Sequence, residues 1–395
     1  MSVTQPLAPR RYLDHAATSW PKPEIVFRAW EQAARTVGAA AGRGVYREAI
    51  QADAICESAR SRVAGLLGGV DPSRVAFPAG ATLALNMAIH GLLKPGDHVL
   101  AMASDHNATL RPLHWLSTRG IIETTIVPCD GVGRVDPDAV ANAWRPSTKL
   151  IVCSHASNVT GVLQEAEALA AIAHQRGGLL LLDAAQTLGQ ISFMPRGLGE
   201  SAFGADVVAA PSHKWLQGMA GAGIFWVRPG IDVELLVQGG TGTSSNSLEM
   251  PDSFLQRMQP GTPDVPALAG LSAAVDWLDS QTIEAIAAQG RTLAQGCASQ
   301  LREIPGVRVI GPRDIAVPIV SFTVEGYDPS EIAALLEQLA GVQVRSGFHC
   351  AALVHDHIGT QSGGTVRVSF GPFNSADDAD AVAEVIATLV STTSR

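Results

Sequence analysis

The sequence has little of several features that would place a protein in a familiar class. Only 16% of its 395 residues are charged, no run of basic residues occurs, and the net charge is −9. A chain of this kind repels nucleic-acid phosphates. No apolar run approaches the roughly 20 residues that span a bilayer, and the first ten residues lack the apolar core of a secretory signal. We therefore expect a soluble, cytoplasmic protein that contacts neither nucleic acid nor membrane.

Lysine and cysteine are also scarce. The chain has four lysines, which are Lys22, Lys94, Lys149 and Lys214. Any chemistry that needs a lysine therefore has few candidates. The five cysteines are Cys56, Cys129, Cys153, Cys297 and Cys350. They form no C-x-x-C pair, which argues against a disulfide framework or a familiar zinc spacing and leaves at least one thiol free.

At roughly 100 to 200 residues per domain, 395 residues indicate two domains, or one large domain with an appendage, and the apolar share of 46% is enough for a buried core. Between residues 74 and 228, short apolar runs alternate with helical stretches such as 82–93 and 165–176. Strands are predicted at 74–77, 98–102, 121–127, 149–153, 178–182, 206–209 and 223–227. Apolar strands that alternate with helices indicate a parallel sheet covered on both faces. The predicted fold class is therefore α/β, with a large, mostly parallel seven-stranded sheet domain.

The rest of the chain predicts a second, smaller α+β domain. Residues 239–266 are rich in Gly, Ser, Thr and Pro and indicate a long loop, of a length that is usually functional or disordered. Helices are predicted at 267–278, 282–301, 330–339 and 376–389, and strands near 308–310, 319–324, 342–345 and 365–370. The expected division is an N-terminal segment (1–20) that packs on the small domain, a large domain (21–266), and linker helices with the small C-terminal domain (267–395).

Polar residues follow five of the predicted strands, where open α/β sheets bind their ligands. The first is followed by small residues through Ala81 and Thr82 that open a helix, an arrangement that can seat an anion. The other strand ends contribute His106, Asn158, Asp183, Gln186 and the run Ser212-His213-Lys214. Taken singly, each has an ordinary structural explanation, such as a helix cap, a loop residue or a solvated charge. Five on one predicted sheet edge indicate a binding site.

One lysine, one acid, a flat side chain and a phosphate seat are what pyridoxal phosphate requires. This cofactor needs a lysine for its Schiff base and an acid against its pyridine nitrogen, so that the ring can withdraw electrons. Lys214 is the only one of the four lysines that is predicted to lie at such a strand end. Pyridoxal 5′-phosphate is therefore the expected cofactor.

Four segments carry a resemblance to a known family. They are Tyr12-Leu13-Asp14-His15-Ala16-Ala17-Thr18, Ser154-His155-Ala156-Ser157-Asn158, Asp183-Ala184-Ala185-Gln186 and Ser212-His213-Lys214. The combination resembles the class V aminotransferase family, and within it the cysteine desulfurase and selenocysteine lyase branch, over nearly the whole chain (12–373). The resemblance implies the fold-type I architecture of pyridoxal-phosphate enzymes and a homodimer with its sites at the subunit boundary.

The resemblance also implies a role for each residue at the cofactor. Lys214 would form the Schiff base, and Asp183 would pair with the protonated pyridine nitrogen. Gln186 would touch the ring hydroxyl, and His106 would stack on the ring and move protons near neutral pH. The remaining cofactor-binding residues would be Asn158 and, around the phosphate, Ala81, Thr82, Ser212, His213 and the neighbouring subunit's Thr262.

Cys350 distinguishes the possible activities. The segment from Arg345 to Ala351 resembles the Arg-x-Gly-x-His-Cys segment of the desulfurase branch. Nearby cationic groups, here His349 and Arg345, favour a reactive thiolate. Two alternatives stay open: an inert thiol, and a zinc site formed by His349, Cys350, His355 and His357. We expect no metal.

The substrate is expected to be a small amino acid. By resemblance, Arg367 would bind its carboxylate as a bidentate pair, with support from Asn158, and Arg345 and Arg43 would complete the substrate site. Without the resemblance, the alternative is that Arg367 is a surface arginine on a strand.

The resulting hypothesis is a cysteine desulfurase, or a selenocysteine lyase. The enzyme would convert L-cysteine to L-alanine, leave a persulfide on Cys350, and pass the sulfur to an acceptor protein. The first alternative is another class V enzyme, such as an aminotransferase, an epimerase or an eliminating C–S lyase. The second is a catalytically idle subunit that holds the cofactor and scaffolds a partner.

Overall fold

The structure, a computed structural model, describes residues 10–193 and 202–393. Its helices are α1 (Glu24–Thr36), α2 (Arg47–Leu66), α3 (Ala81–Leu92), α4 (Asn107–Thr118), α5 (Pro137–Asn142), α6 (Ala166–Gln175), α7 (Phe254–Met258), α8 (Val265–Gln281), α9 (Ile283–Arg302), α10 (Pro329–Ala340), α11 (Val354–Ile358) and α12 (Ala376–Thr393). Its strands are β1 (Arg11–Tyr12), β2 (Val75–Ala76), β3 (His98–Met102), β4 (Glu123–Val127), β5 (Thr148–Ser154), β6 (Leu179–Asp183), β7 (Val207–Pro211), β8 (Gly223–Val227), β9 (Val307–Ile310), β10 (Ile319–Val324), β11 (Val342–Gln343), β12 (Arg345–Gly347) and β13 (Thr365–Ser369).

The large domain is built on a seven-stranded sheet with the order β2-β8-β7-β6-β5-β3-β4. The neighbours from β7 to β4 pair in parallel, whereas β8 runs antiparallel to both β2 and β7. The predicted large, mostly parallel sheet is therefore confirmed. The carboxyl ends of β5, β6 and β7 lie side by side, which brings together the residues that follow these three strands.

The sequence of β6 shows why this sheet is buried on both faces. Side chains alternate between the two faces of a strand. Leu180 and Leu182 accordingly join one apolar core, whereas Leu181 joins the other. A strand flanked by two cores needs apolar residues at every position, which explains its continuous run of leucines before Asp183.

The small domain contains a four-stranded antiparallel sheet with the order β12-β13-β10-β9. The prediction of one strand at 342–345 was wrong. Val342–Gln343 pairs with β1 and Arg345–Gly347 pairs with β13, because the chain passes from one sheet to the other at Val344. The predicted loop 239–266 also holds the short helix α7 and the start of α8. Helix α8 begins at Val265, before the predicted start at 267, because the side chain of Asp264 accepts a hydrogen bond from the Ala267 N–H at 3.0 Å.

The N-terminal segment joins the small domain. Arg11 and Tyr12 pair in parallel with Val342 and Gln343, and Asp14 forms a bridge with Ser369 of β13. Residues 1–9 of the predicted segment 1–20 lie outside the described residues. The boundaries at 20 and 266 stay a prediction.

Candidate active site

The carboxyl ends of the parallel strands surround a cavity of about 350 Å³, which we call the Lys214 cavity. Ten of the predicted site residues line it: Ala81, Thr82, His106, Asn158, Asp183, Gln186, His213, Lys214, Arg345 and Arg367. The first eight come from the large domain, and the two arginines come from β12 and β13 of the small domain. The cavity therefore lies between the two domains.

Lys214 and Asp183 form the centre of the cavity. Asp183 ends β6, and Lys214 follows the end of the neighbouring strand β7. Burial raises the pKa of Asp183, while the Ala185 N–H, 2.9 Å from Oδ1, and the charge of Lys214 oppose that rise. Burial lowers the pKa of Lys214 to about 8, and Asp183 limits the fall. Lys214 is therefore a better nucleophile near neutral pH than an exposed lysine.

His106 is held as a neutral imidazole. Its Nδ1 accepts a hydrogen bond from the Ala108 N–H at 3.0 Å and so caps α4. Burial and then the charge of Lys214 lower the pKa of His106 to about 4. The expectation that His106 moves protons near neutral pH stays a prediction, and burial among cations favours the neutral form of its ring. His106 still lines the cavity.

A seat for an anion lies at the N-terminus of α3. Gly80 precedes this helix with a φ of 126° and supplies no side-chain cap, so the first backbone N–H groups of the helix have no intrahelical partner. A Cβ on Gly223 would lie 2.4 Å from the carbonyl carbon of Gly80, so only glycine permits this close approach. Ala81 and Thr82, the first two residues of this helix, line the cavity, and their role as a seat for an anion stays a prediction.

Ser212, His213 and Gln186 are each tied to other groups. The Ser212 hydroxyl donates to the Met219 carbonyl and does not line the Lys214 cavity. His213 lines the cavity, with Nδ1 3.0 Å from Thr18 Oγ1. Gln186 also lines it, and its amide donates to the Ala16 carbonyl at 3.0 Å and accepts from Trp215 Nε1 at 2.7 Å.

Arg367 is fully buried, with 1% of its surface exposed. It is thus not the surface arginine that the unaided sequence allowed. Its Nη1 donates to the Asn158 carbonyl at 2.9 Å, and its Nη2 lies 2.8 Å from Asp14 Oδ1. The Nε atom is buried without a partner. The side-chain amide of Asn158 donates to the His349 carbonyl at 2.6 Å.

Cys350 is exposed and belongs to a neighbouring cavity rather than to the Lys214 cavity. The two cavities share Thr82, His106 and Ala108. The Arg345 Nη2 lies 3.3 Å from Cys350 Sγ. Both His349 and Cys350 have positive φ angles, 49° and 59°, a conformation that is costly for residues other than glycine and is common at functional sites.

His349 does not supply the cation that the sequence suggested beside Cys350. Burial, followed by the charges of Arg367 and Arg345, holds the pKa of His349 well below its usual range. Its Nε2 lies 2.9 Å from Thr365 Oγ1, on the side of β13. Arg345 is therefore the cation in direct contact with the thiol.

Arg43 and Thr262 lie apart from Lys214 within the chain, and both are exposed. Thr262 lines a second cavity of about 580 Å³, which shares Ala79 and Gly221 with the Lys214 cavity. The Arg43 guanidinium donates to the carbonyls of Gly240 and Gly261 at 3.3 and 3.2 Å. Arg43 thus contacts the loop that carries Thr262, and neither residue lines the Lys214 cavity.

Three residues near the site were missed by the sequence reasoning. Asp14 pairs with Arg367, and the Lys22 Nζ lies 3.3 Å from the carbonyl of His213, the residue before Lys214. Asp105 is fully buried, and its carboxylate accepts the Met102 and Ser154 N–H groups at 2.8 and 2.6 Å. It thereby ties β3 to β5 and fixes the start of the loop that carries His106. Its position after a strand, one residue before His106, was the available signal.

Within 10–193 and 202–393, no group of three or more His, Cys, Asp or Glu side chains could hold a metal ion. The zinc alternative at Cys350 is also not favoured by its neighbours, since the Nδ1 of His355 lies 2.7 Å from Thr360 Oγ1. No helix in the same residues is long and apolar enough to cross a membrane.

The parallel sheet, with one lysine, one buried carboxylate and a helix N-terminus at its edge, defines a fold-type I enzyme of the pyridoxal-phosphate-dependent class. The chain belongs to the aminotransferase class-V family, whose family model matches residues 11–382. It is 30% identical over 382 residues to a probable cysteine desulfurase of Methanothermobacter thermautotrophicus, covering 95% of this chain and 93% of that protein. It is 33% identical to a probable cysteine desulfurase of Pseudomonas putida, covering 93% and 90%.

A solved structure agrees with these relatives. The cysteine desulfurase from Thermococcus onnurineus NA1 superimposes with a TM-score of 0.89 at 28% identity, covering 97% of this chain and 95% of that chain. The class V family assignment and the fold-type I prediction are confirmed.

Proposed function

We propose that this protein is a cysteine desulfurase that uses pyridoxal phosphate to convert L-cysteine to L-alanine and carries the sulfur as a persulfide on Cys350. The observation that supports this activity best is the contact of 3.3 Å between Cys350 Sγ and Arg345 Nη2. Arg345 also lines the Lys214 cavity, so one side chain reaches both the thiol and the lysine site. The names of the relatives agree with it.

The residues of the Lys214 cavity fit the cofactor. Asp183 has a buried carboxylate whose raised pKa calls for a cationic partner, such as a pyridinium nitrogen. The open N-terminus of α3 suits a phosphate, and His106 presents a neutral ring for stacking. Lys214 and His213 complete the set that would hold the cofactor. When bound, pyridoxal phosphate supplies an aldehyde that condenses with amines and a ring that withdraws electrons.

The chain's own groups then have distinct tasks. Arg367, which lines the Lys214 cavity, would bind the substrate carboxylate through its guanidinium. The Lys214 amine, with its pKa near 8, would remove the proton from the substrate α-carbon. The Cys350 thiolate would attack the substrate sulfur. The carbon–sulfur bond breaks, its electron pair stays with the carbon fragment that is protonated to alanine, and the sulfur stays on Cys350 as a persulfide.

The experiment that tests this proposal is incubation of the cofactor-loaded protein with L-cysteine. We expect equal amounts of alanine and of sulfur bound to Cys350, detected as a mass increase of the peptide that contains it. Cys350→Ser should retain the cofactor and lose alanine production. Wild-type protein that forms pyruvate and ammonia would contradict the desulfurase proposal.

One observation favours a second candidate, an eliminating C–S lyase. Cys350 lines the neighbouring cavity and not the Lys214 cavity. If the thiol stays there during turnover, the substrate sulfur would leave without meeting it. The lyase would then produce pyruvate and ammonia and would be unaffected by Cys350→Ser.

A homodimer is part of the proposal. Thr262 and Arg43 are exposed and lie apart from Lys214 within one chain, although the family resemblance places them in the site. A second copy of the chain would bring Thr262 to the neighbouring phosphate seat. An acceptor protein for the persulfide sulfur is proposed on the chemistry alone, because a persulfide must be discharged before the next turnover.

A further inference from the structure

Two of the three nitrogens of the Arg367 guanidinium form hydrogen bonds within the protein. Nη1 donates to the backbone carbonyl of Asn158 at 2.9 Å, and Nη2 lies 2.8 Å from Asp14 Oδ1. The third nitrogen, Nε, is buried without a partner. A guanidinium binds a carboxylate best through two parallel N–H bonds, and such binding requires a fixed plane. The two contacts fix that plane.

Asp14 is itself fixed by the backbone around it. The Leu13 N–H donates to the Gln343 carbonyl at 2.9 Å, and the Ser369 N–H donates to the Leu13 carbonyl at 2.8 Å. Asp14 then forms a bridge with Ser369, two residues after Arg367 on β13. The carboxylate is thus anchored to the same sheet as the arginine it contacts.

The two residues differ in their relation to the Lys214 cavity. Arg367 lines it, whereas Asp14 is not among its lining residues, and its side chain keeps 21% of its surface exposed. Asp14 therefore contacts the guanidinium from outside the cavity. It does not occupy the place where a substrate carboxylate would bind.

The charge of Asp14 is needed at this position. Three cations, Lys214, Arg345 and Arg367, lie in and around the cavity. The charges of Arg345 and Arg367 lower the pKa of Lys214, whereas the carboxylates of Asp183 and Asp14 raise it. A buried guanidinium that lacks a counter-charge is strongly unfavourable. Burial lowers the pKa of Arg367, and Asp14 acts against this through its charge and its hydrogen bond.

We propose that Asp14 is a positioning residue that orients the guanidinium of Arg367 so that it receives the carboxylate of the amino acid substrate. This inference rests on the proposed function. Asp14 touches neither substrate nor cofactor and acts only through the arginine. Loss of Asp14 should therefore weaken the binding of ligands that carry a carboxylate and spare ligands that lack one.

The test compares L-alanine, the expected product, with ethylamine, which is alanine without its carboxylate. Both amines are titrated against the cofactor-loaded wild-type enzyme and against Asp14→Ala, and binding is followed by the change in the absorbance of the cofactor. We expect the dissociation constant of L-alanine to rise about tenfold, the effect of losing one charge-assisted hydrogen bond. That of ethylamine should change less than twofold. Asp14→Asn should fall between, because its amide oxygen still accepts a hydrogen bond.

Asp378→Asn is the matched control, since Asp378 also pairs with an arginine of the N-terminal segment, Arg11, at 3.6 Å, away from the Lys214 cavity. It should leave both dissociation constants unchanged. Equal weakening of both amines in Asp14→Ala would indicate general loosening and would overturn the inference, as would no change for either. Failure of the proposed function is distinct, because wild-type protein would then yield no alanine from L-cysteine.

Discussion

The sulfur of Cys350 lies 3.3 Å from Nη2 of Arg345, and the same guanidinium lines the cavity of Lys214. Arg345 follows the end of β11 and pairs in register with Arg367 on β13. The small domain thus presents two neighbouring arginines. Arg345 contacts the thiol, and Arg367 contacts the side-chain carboxylate of Asp14 in the N-terminal segment. A thiol beside a guanidinium is stabilised in its reactive, ionised form.

Removal of the Arg345 charge should slow the reaction of Cys350 with an alkylating reagent. In Arg345→Met we expect the alkylation rate at neutral pH to fall roughly two- to fivefold, the effect of one exposed charge pair. The measurement is mass spectrometry of the Cys350 peptide after timed exposure to iodoacetamide. Arg345→Lys, which keeps the charge, should retain most of the rate. An unchanged rate in Arg345→Met would show that the contact has no effect on the thiol.

Lys214 should be the only lysine that carries the cofactor. Lys214→Ala is expected to abolish the absorbance of the lysine-bound cofactor and to reduce alanine production from L-cysteine by several orders of magnitude, because the variant lacks both the nucleophilic amine and the base. The checks are an absorbance spectrum and a product assay after reconstitution with pyridoxal phosphate. Lys149→Ala, which removes an exposed lysine, is the control and should match the wild type. Retention of a normal spectrum in Lys214→Ala would refute the assignment.

Local sequence was sufficient for the sheet and for most of its polar edge. Strands β3, β8 and β10 have the predicted bounds, because each is a short run rich in apolar residues. The rule that ligands bind beyond the carboxyl ends of strands then selected His106, Asp183 and Lys214 without any structure.

Contacts between distant parts of the chain could not be predicted in this way. Asp14 and Arg367 are separated by 353 positions in the sequence, and Lys22 and His213 are separated by 191. Neither pair produces a local sequence pattern from which the contact could be predicted. Burial is equally a property of the folded chain. Local sequence therefore could not predict that burial lowers the pKa of both His106 and His349.

Buried histidines should make the protein sensitive to mild acid. Burial lowers the pKa of His15 from 6.5 to about 4. The folded state therefore binds fewer protons than the unfolded state between these values, so the contribution of His15 to stability is present above pH 6.5 and is lost as pH falls towards 4. At full extent this is on the order of 3 kcal/mol for one residue.

His15→Asn should flatten this dependence, since its side chain does not titrate. We expect the free energy of unfolding, measured with urea between pH 7 and pH 4.5, to fall less steeply in the variant than in the wild type. His114→Asn, at an exposed position, should keep the wild-type slope. Parallel curves for all three proteins would contradict the role assigned to His15.

Thr262 should act on the cofactor of a neighbouring subunit. Thr262→Ala is expected to raise the pyridoxal phosphate concentration for half-saturation about tenfold, the effect of losing one hydrogen bond to a charged phosphate. Thr241→Ala, which alters another threonine of the same 580 Å³ cavity, is the control and should change this concentration little.

Mixed dimers of Thr262→Ala and Lys214→Ala chains decide whether Thr262 acts within its own chain or across the interface. Their single functional lysine belongs to the chain that lacks Thr262, so its site can receive the threonine only from the partner. Recovery of wild-type cofactor affinity at that site would establish action across the interface, whereas affinity as weak as in the Thr262→Ala homodimer would refute it.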